Sequence, residues 1–242
     1  MNDFRTALYQ KYQSKFKKHI DIANQDFSES DYRYFKFKYL PLLNRYNLES
    51  SILDLGCGTG IMMQYLVKSG YKNIEGVDIS EEQIEIAKSR GLNANVSDVF
   101  SFLESCKKYD IIFMLDFIEH FTKEELFLLM DKVNECINPG GVLILRTPNG
   151  NGIYPNNVIY GDLTHLTIFN SSSLIQLLKI FDFEFIEFFE TGPIPKNLKG
   201  AIGFILWKLE RFLFNIFRFI EVGKTEKYLT KEFICKATMK KD

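Results

Sequence analysis

Asp116, Glu119 and His120 stand at i, i+3 and i+4 in the stretch DFIEH, which puts all three on one face if a helix begins there. Carboxylates beside an imidazole can move protons, and an imidazole is the side chain best matched to taking one near neutrality. His120 is therefore a candidate general base for an acceptor hydroxyl. Glu119 either shares in that chemistry or simply caps and pairs locally. His165, in YGDLTHLTIFNSSSL, brings a second imidazole together with Asp162 and Thr164. Asp116, Glu119, His120 and His165 also form a candidate ligand set for a divalent metal, which would lower a hydroxyl's pKa and orient it. The set holds no thiolate, which argues against a structural zinc site.

A second group lies upstream in ILDLGCGTG, residues 52–60. Gly56, Gly58 and Gly60 crowd one turn after an aliphatic run. Such a turn leaves backbone N–H groups exposed and lets a ligand lie against them. Asp54, inside the run, suits a cationic ligand. Asp78, with Ile79 beside it, ends NIEGVDIS, where a carboxylate can accept both hydroxyls of a ribose. Asp98 in NVSDVF can accept an adenine amino group, with Val99 and Phe100 covering the ring. Cys57 reads as a small packing residue. The turn is GxGxG, and Ile61 stands where a dinucleotide fingerprint has its third glycine.

These groups need a scaffold to converge, and the pattern supplies one. Strands read at 51–55, 73–78, 92–96, 109–115, 141–147 and 183–190, with a last one in KEFICKAT. Helices read at 59–69, 81–90, 98–105, 122–137, 171–181 and 198–222. That alternation predicts an α/β fold: a Rossmann-like, seven-stranded, mostly parallel sheet with a reversed last strand. Residues 1–50 form an N-terminal helical cap, and 51–242 one domain with a helical insertion at about 198–222. The turn-rich stretch 148–170 is long enough to be a functional loop that roofs the acceptor.

The combination of D-x-G-C-G-x-G, Asp78, Asp98 and YDIIFMLDFIEH resembles class I S-adenosylmethionine-dependent methyltransferases over about residues 50–147. The resemblance implies S-adenosylmethionine as cofactor. Gly56, Gly58 and Gly60 then pack on its methionine part and ribose, Asp78 holds the ribose, Asp98 the adenine, and Leu115 and Asp116 line the pocket floor. It also implies in-line displacement at the sulfonium methyl, leaving S-adenosylhomocysteine. E-x-x-E-H with a distant His resembles the metal site of small-RNA 2′-O-methyltransferases, and its first part resembles quinone-biosynthesis O-methyltransferases. Here Asp116 replaces the first Glu and is shorter by one methylene. D-x-T-H-x-x-x-F after RTPN resembles methyltransferases encoded with surface-polysaccharide, O-antigen-type biosynthesis. The favoured acceptor is a hydroxyl on a sugar or lipid-linked glycan precursor. The alternatives are a quinone or other small molecule, or a non-catalytic cofactor-binding scaffold, against which the intact acids and histidines argue.

The 242 residues carry a net charge of −1, with 46% hydrophobic and 25% charged residues. No basic field invites nucleic acid, and no NPPY-like tetrapeptide follows the fourth strand. Four scattered cysteines without a CxxC pair point to a reducing cytoplasm. There is neither a signal-like core nor an uncharged apolar run of about 18 residues. Within 198–222 a broad apolar arc runs from Ile202 to Ile220, with Lys208, Arg211, Asn215 and Arg218 on the other side among Trp207 and Phe214. That arc packs on the core, on a second copy in a homodimer, or on the inner face of a membrane as a peripheral contact.

Overall fold

The computed structural model describes Leu8, residues 28–104 and residues 107–241. Most of the expected cap over residues 1–27 lies outside the described residues. Ser28 opens α1 (Glu29–Lys38) through a capping box with Asp31, and a 3₁₀ turn follows at Leu40–Leu43. The alternation then begins: β1 (Ser51–Leu55), α2 (Ile61–Lys68), β2 (Asn73–Asp78), α3 (Glu81–Ser89), β3 (Ala94–Val96), α4 (Val99–Glu104) and β4 (Tyr109–Leu115). A 3₁₀ turn at Ile118–His120 leads to α5 (Lys123–Cys136), β5 (Ile137–Pro148) and the short α6 (Asn156–Ile159). The chain continues through α7 (Ser171–Ile180), β6 (Phe183–Glu190), α8 (Leu198–Val222) and β7 (Glu232–Met239).

The seven strands lie in the order β3-β2-β1-β4-β5-β7-β6. Pairings from β3 to β5 are parallel, and β7 runs antiparallel to both β5 and β6. This is the expected Rossmann-like sheet with its reversed last strand. Central strands read as unbroken apolar runs because helices cover both faces. Leu53, Ile112 and Leu143 pack toward α5 and α7 on one face; Ile52, Ile111 and Val142 pack toward α1 and α2 on the other. The cap is tied down by Phe35 stacking on Tyr65 at 5.5 Å. Lys38 Nζ donates to Glu190 O at 2.6 Å and Tyr34 Oη to Thr191 O at 2.8 Å. After β3 the chain returns to place β4 on the far side of β1. The carboxyl ends of β1 and β4 diverge there and open a crevice.

Three details depart from the sequence reading. β5 starts at Ile137, before the expected 141, because Pro139-Gly140-Gly141 is absorbed as a bulge: Tyr109 pairs with Ile137, then Ile111 with Val142. The loop at 148–170 contains α6. Cys57 and Cys235 are buried thiols, but Cys136 is disulfide-bonded, so the cysteines are not all scattered thiols.

Candidate active site

The glycine turn is built by the backbone. Gly56, Gly58 and Gly60 sit at φ +72°, +54° and +77°, a left-handed conformation that favours glycine. A Cβ at Gly56 would lie 2.3 Å from the Phe117 ring. Gly56 N–H and Cys57 N–H donate to Val77 O at 2.9 and 3.1 Å. Asp78 accepts from Gly58 N–H at 2.9 Å and Ser80 N–H at 2.8 Å, pinning the turn to the end of β2. Asp98 Oδ1 caps α4, accepting from Phe100 N–H at 3.0 Å and Ser101 N–H at 3.2 Å. Asp54 is buried. Burial and then the charge of Asp78 push its carboxyl up to about 8, against the pull of Arg146. Burial also pushes the Cys57 thiol up, which suits packing and not nucleophilic attack.

A cavity of about 810 Å³ runs along the carboxyl ends of the parallel strands. Asp54, Gly56, Cys57 and Gly58 line it at β1, Asp78 and Ile79 at β2, and Asp98 and Val99 at the start of α4. Leu115, Asp116, Glu119, His120 and His165 line its other end. Gly60 is the one expected site residue that does not line it. A Cβ there would fall 2.3 Å from Leu92 and 3.4 Å from Ala87, so Gly60 lets the start of α2 pack against α3 and the loop after it.

At the second end, side chains from separate segments meet. Asp116 adopts φ +51° and pairs with Arg146, whose Nε donates to Oδ1 at 2.8 Å while Nη2 meets Oδ2. Burial works against the guanidinium charge, but Asp116, Tyr39 and Glu232 outweigh it and hold Arg146 charged. Arg146 escaped the sequence reading; its signal is a single cation ending the apolar run VLIL. Glu119 is only 1% exposed and its Oε2 accepts from Thr147 Oγ1 at 3.0 Å. Burial, then the charge of Asp116, raise its carboxyl well above the usual range.

The backbone of Glu119 also fastens the roof. Its carbonyl accepts from Leu166 N–H at 2.8 Å and Thr167 N–H at 3.1 Å, and Thr167 Oγ1 donates to Phe121 O at 2.7 Å. His165 is thereby brought against His120, with ring centroids 4.9 Å apart. Thr164 Oγ1 stands 2.9 Å from His120 Nδ1 and donates to Asp162 Oδ1 at 2.6 Å. A hydroxyl has one hydrogen, so toward His120 its oxygen must accept. The Thr164 carbonyl, 3.3 Å from the same nitrogen, is also an acceptor. The proton of His120 therefore sits on Nδ1, and Nε2 is the basic nitrogen. Burial, then the neighbouring His165, lower the pKa of His120. The imidazole is neutral at pH 7 and able to take a proton.

Glu119, His120 and His165 each place a ligand atom within 4.8 Å of the others. Asp116, expected among them, is outside that group and pairs with Arg146. The charged Arg146 guanidinium, paired with Asp116 beside this group, repels a divalent cation. His165 Nδ1 is buried without a hydrogen-bond partner among the described residues.

A family model described as "Methyltransferase domain" matches residues 28–187. The chain is 30% identical over 185 residues to a ubiquinone biosynthesis O-methyltransferase of Rickettsia canadensis (strain McKiel), covering 70% of this chain and 75% of that one. It is 31% identical over 104 residues to the protein of the same name from Chelativorans sp. (strain BNC1), where it spans only 40% of the relative's length. These names side with the quinone alternative and give no support to the surface-polysaccharide resemblance. Among solved structures, an Archaeoglobus fulgidus S-adenosylmethionine-dependent methyltransferase superposes with a TM-score of 0.63 at 19% identity, over 98% of this chain and 100% of that one. Synechocystis PCC 6803 magnesium protoporphyrin IX methyltransferase with bound S-adenosylmethionine gives 0.62 at 15%, over 99% and 98%. At these identities the likeness is one of fold.

Proposed function

The chain belongs to the methyltransferase-domain family, and on that premise we propose that it methylates a hydroxyl oxygen on the ring of a small quinone-type acceptor. The observation that carries this reading is the neutral His120, its proton fixed on Nδ1 by Thr164. The cradle fits S-adenosylmethionine: Gly56 and Gly58 leave room along the backbone. Asp78 faces the cavity, and because each carboxylate oxygen can accept twice, it can take ribose hydroxyls as well as backbone N–H groups. Asp98 and Val99 stand where adenine would lie, and Asp54 stands where a cation would be welcome. When bound, S-adenosylmethionine supplies the electrophilic sulfonium methyl.

His120 Nε2 takes the hydroxyl proton as the oxygen–carbon bond forms and the carbon–sulfur bond breaks. The resulting imidazolium is stabilised through Thr164 by Asp162. A base with a lowered pKa favours an acidic hydroxyl. A phenol titrates at about 10, within reach of such a base, whereas an aliphatic sugar hydroxyl is a weaker acid. His165 lines the cavity with its ring against that of His120 and is left to orient the acceptor. Most of the rate gain comes from positioning. Incubation with methyl-labelled S-adenosylmethionine should move label onto catechol-type acceptors and not onto sugars. Label appearing only on sugars, or on no hydroxyl although cofactor binds, would overturn the reading.

A further inference from the structure

α8 runs for 25 residues without one that is buried. Its faces are reversed relative to an ordinary surface helix. The side toward the body carries polar groups, and they are engaged there. Tyr154 Oη donates to Glu210 at 2.6 Å, and Arg211 pairs with Glu190 at 2.8 Å. Asn215 Nδ2 donates to Glu226 O at 3.1 Å and its Oδ1 accepts from Glu226 N–H at 2.7 Å. These bonds fix the rotation of the helix about its axis. Core packing, one of the three alternatives for the apolar arc, is thereby overturned, because the arc is exposed. Twelve large apolar side chains between Leu198 and Val222 are exposed, Phe217 at 70% and Ile220 at 75%. A continuous patch of this kind marks an interaction surface.

The charge around the patch identifies its partner. Lys196 and Lys199 stand exposed at one end, Lys208 midway, and Lys224 and Lys227 beyond the other end. Five exposed lysines against one exposed acid, Glu221, leave two copies paired along this face with an excess of like charge. An anionic lipid surface complements the lysines along the whole length. We propose that α8 lies flat in the interface of an anionic bilayer, its apolar face among the acyl chains and its lysines at the headgroups. At about 1.5 Å per residue it would cover roughly 37 Å of surface. Among the described residues no helix is long and apolar enough to cross a membrane, which agrees with a helix that lies along one. On its inward side the helix reaches toward the acceptor end: Trp207 lines a second cavity, of about 290 Å³, that shares Glu232 with the larger one. The proposal does not depend on the acceptor's identity.

The test is flotation of the full chain with vesicles of phosphatidylcholine alone and of phosphatidylcholine with phosphatidylglycerol, without acceptor. The wild type should float with the anionic vesicles at low salt and be partly released at high salt. The double variant Phe212→Ser/Ile216→Ser should bind at least about tenfold less with unchanged thermal unfolding and cofactor affinity. Lys199→Glu/Lys208→Glu should lose mainly the low-salt binding. A wild type that stays in solution with anionic vesicles at low salt would overturn the proposal. So would a lipid-independent dimer that the Phe212/Ile216 variant turns into monomers.

Discussion

At the glycine end of the cavity, contacts are made by main-chain atoms of neighbouring segments, with Asp78 holding the N–H of Gly58 only 20 residues away. At the histidine end they are made by side chains that meet across longer stretches: Asp116 with Arg146, Glu119 with Thr147, and His120 with Thr164, 44 residues on. The first end is fixed by backbone conformation and is sensitive to an added methyl group. The second is fixed by protonation states and is sensitive to the loss of one proton or one hydroxyl. Binding and chemistry should therefore fail separately.

The sharpest way to break that contrast is to exchange the lesions. His120→Ala should lower turnover by about 10²–10⁴-fold while leaving the cofactor's dissociation constant nearly unchanged. Gly56→Ala should do the reverse. Its left-handed backbone alone penalises an L-residue by about 1–2 kcal/mol, and the new methyl displaces Phe117, so cofactor affinity should drop about tenfold. Calorimetry with single-turnover kinetics separates the two, and an affinity loss in His120→Ala would erase the division.

A smaller effect sharpens the histidine end. Thr164→Val removes the hydroxyl that orients His120, and turnover should fall about tenfold, with Thr164→Ser restoring most of it. In the wild type, turnover should rise with pH as His120 loses its proton. Because the His120 pKa is lowered, the midpoint should lie below the ordinary histidine value of about 6.5, with a plateau at neutrality. A midpoint above that value would remove His120 as the base.

The smallest effect probes the glycine end. With its carboxyl at about 8, Asp54 is largely protonated at pH 7. A cation bound beside it lowers that pKa, so cofactor binding should release a fraction of a proton. Binding heats in buffers of different ionisation enthalpy would show this release, and Asp54→Asn should abolish it. Equal heats in all buffers for the wild type would mean that Asp54 does not sense the ligand.

The contrast also explains what could be read from the chain alone. Strand, glycine turn and helix are local, and a positive φ at Gly56 and Gly58 follows from their being glycine between a strand and a helix. The role of Gly60 was not legible, since it depends on Leu92 from another loop. Asp116 shows the same limit more strongly. Its spacing with Glu119 and His120 suggested a ligand set, but Arg146 on a neighbouring strand claims it, and no spacing rule reports that. For α8 the spacing of apolar and polar residues separated two faces. Which one turns inward was decided by Glu190, Tyr154 and Glu226, outside the helix.

The position of β7 sets an order of events. It is made after β6 yet lies between β5 and β6, so those two strands have no shared neighbour until it arrives. Just ahead of it, the carbonyls of Tyr228 and Thr230 receive the Asn149 side-chain amide at 2.9 and 3.0 Å, which fastens the base of the roof loop. A growing chain can therefore form its glycine turn early, as amino-terminal elements emerge first from the ribosome. Anchoring of the base of the roof loop has to wait for this late segment. A ribosome-bound chain stalled before Tyr228 would carry the cofactor cradle with a roof loop untied at its base.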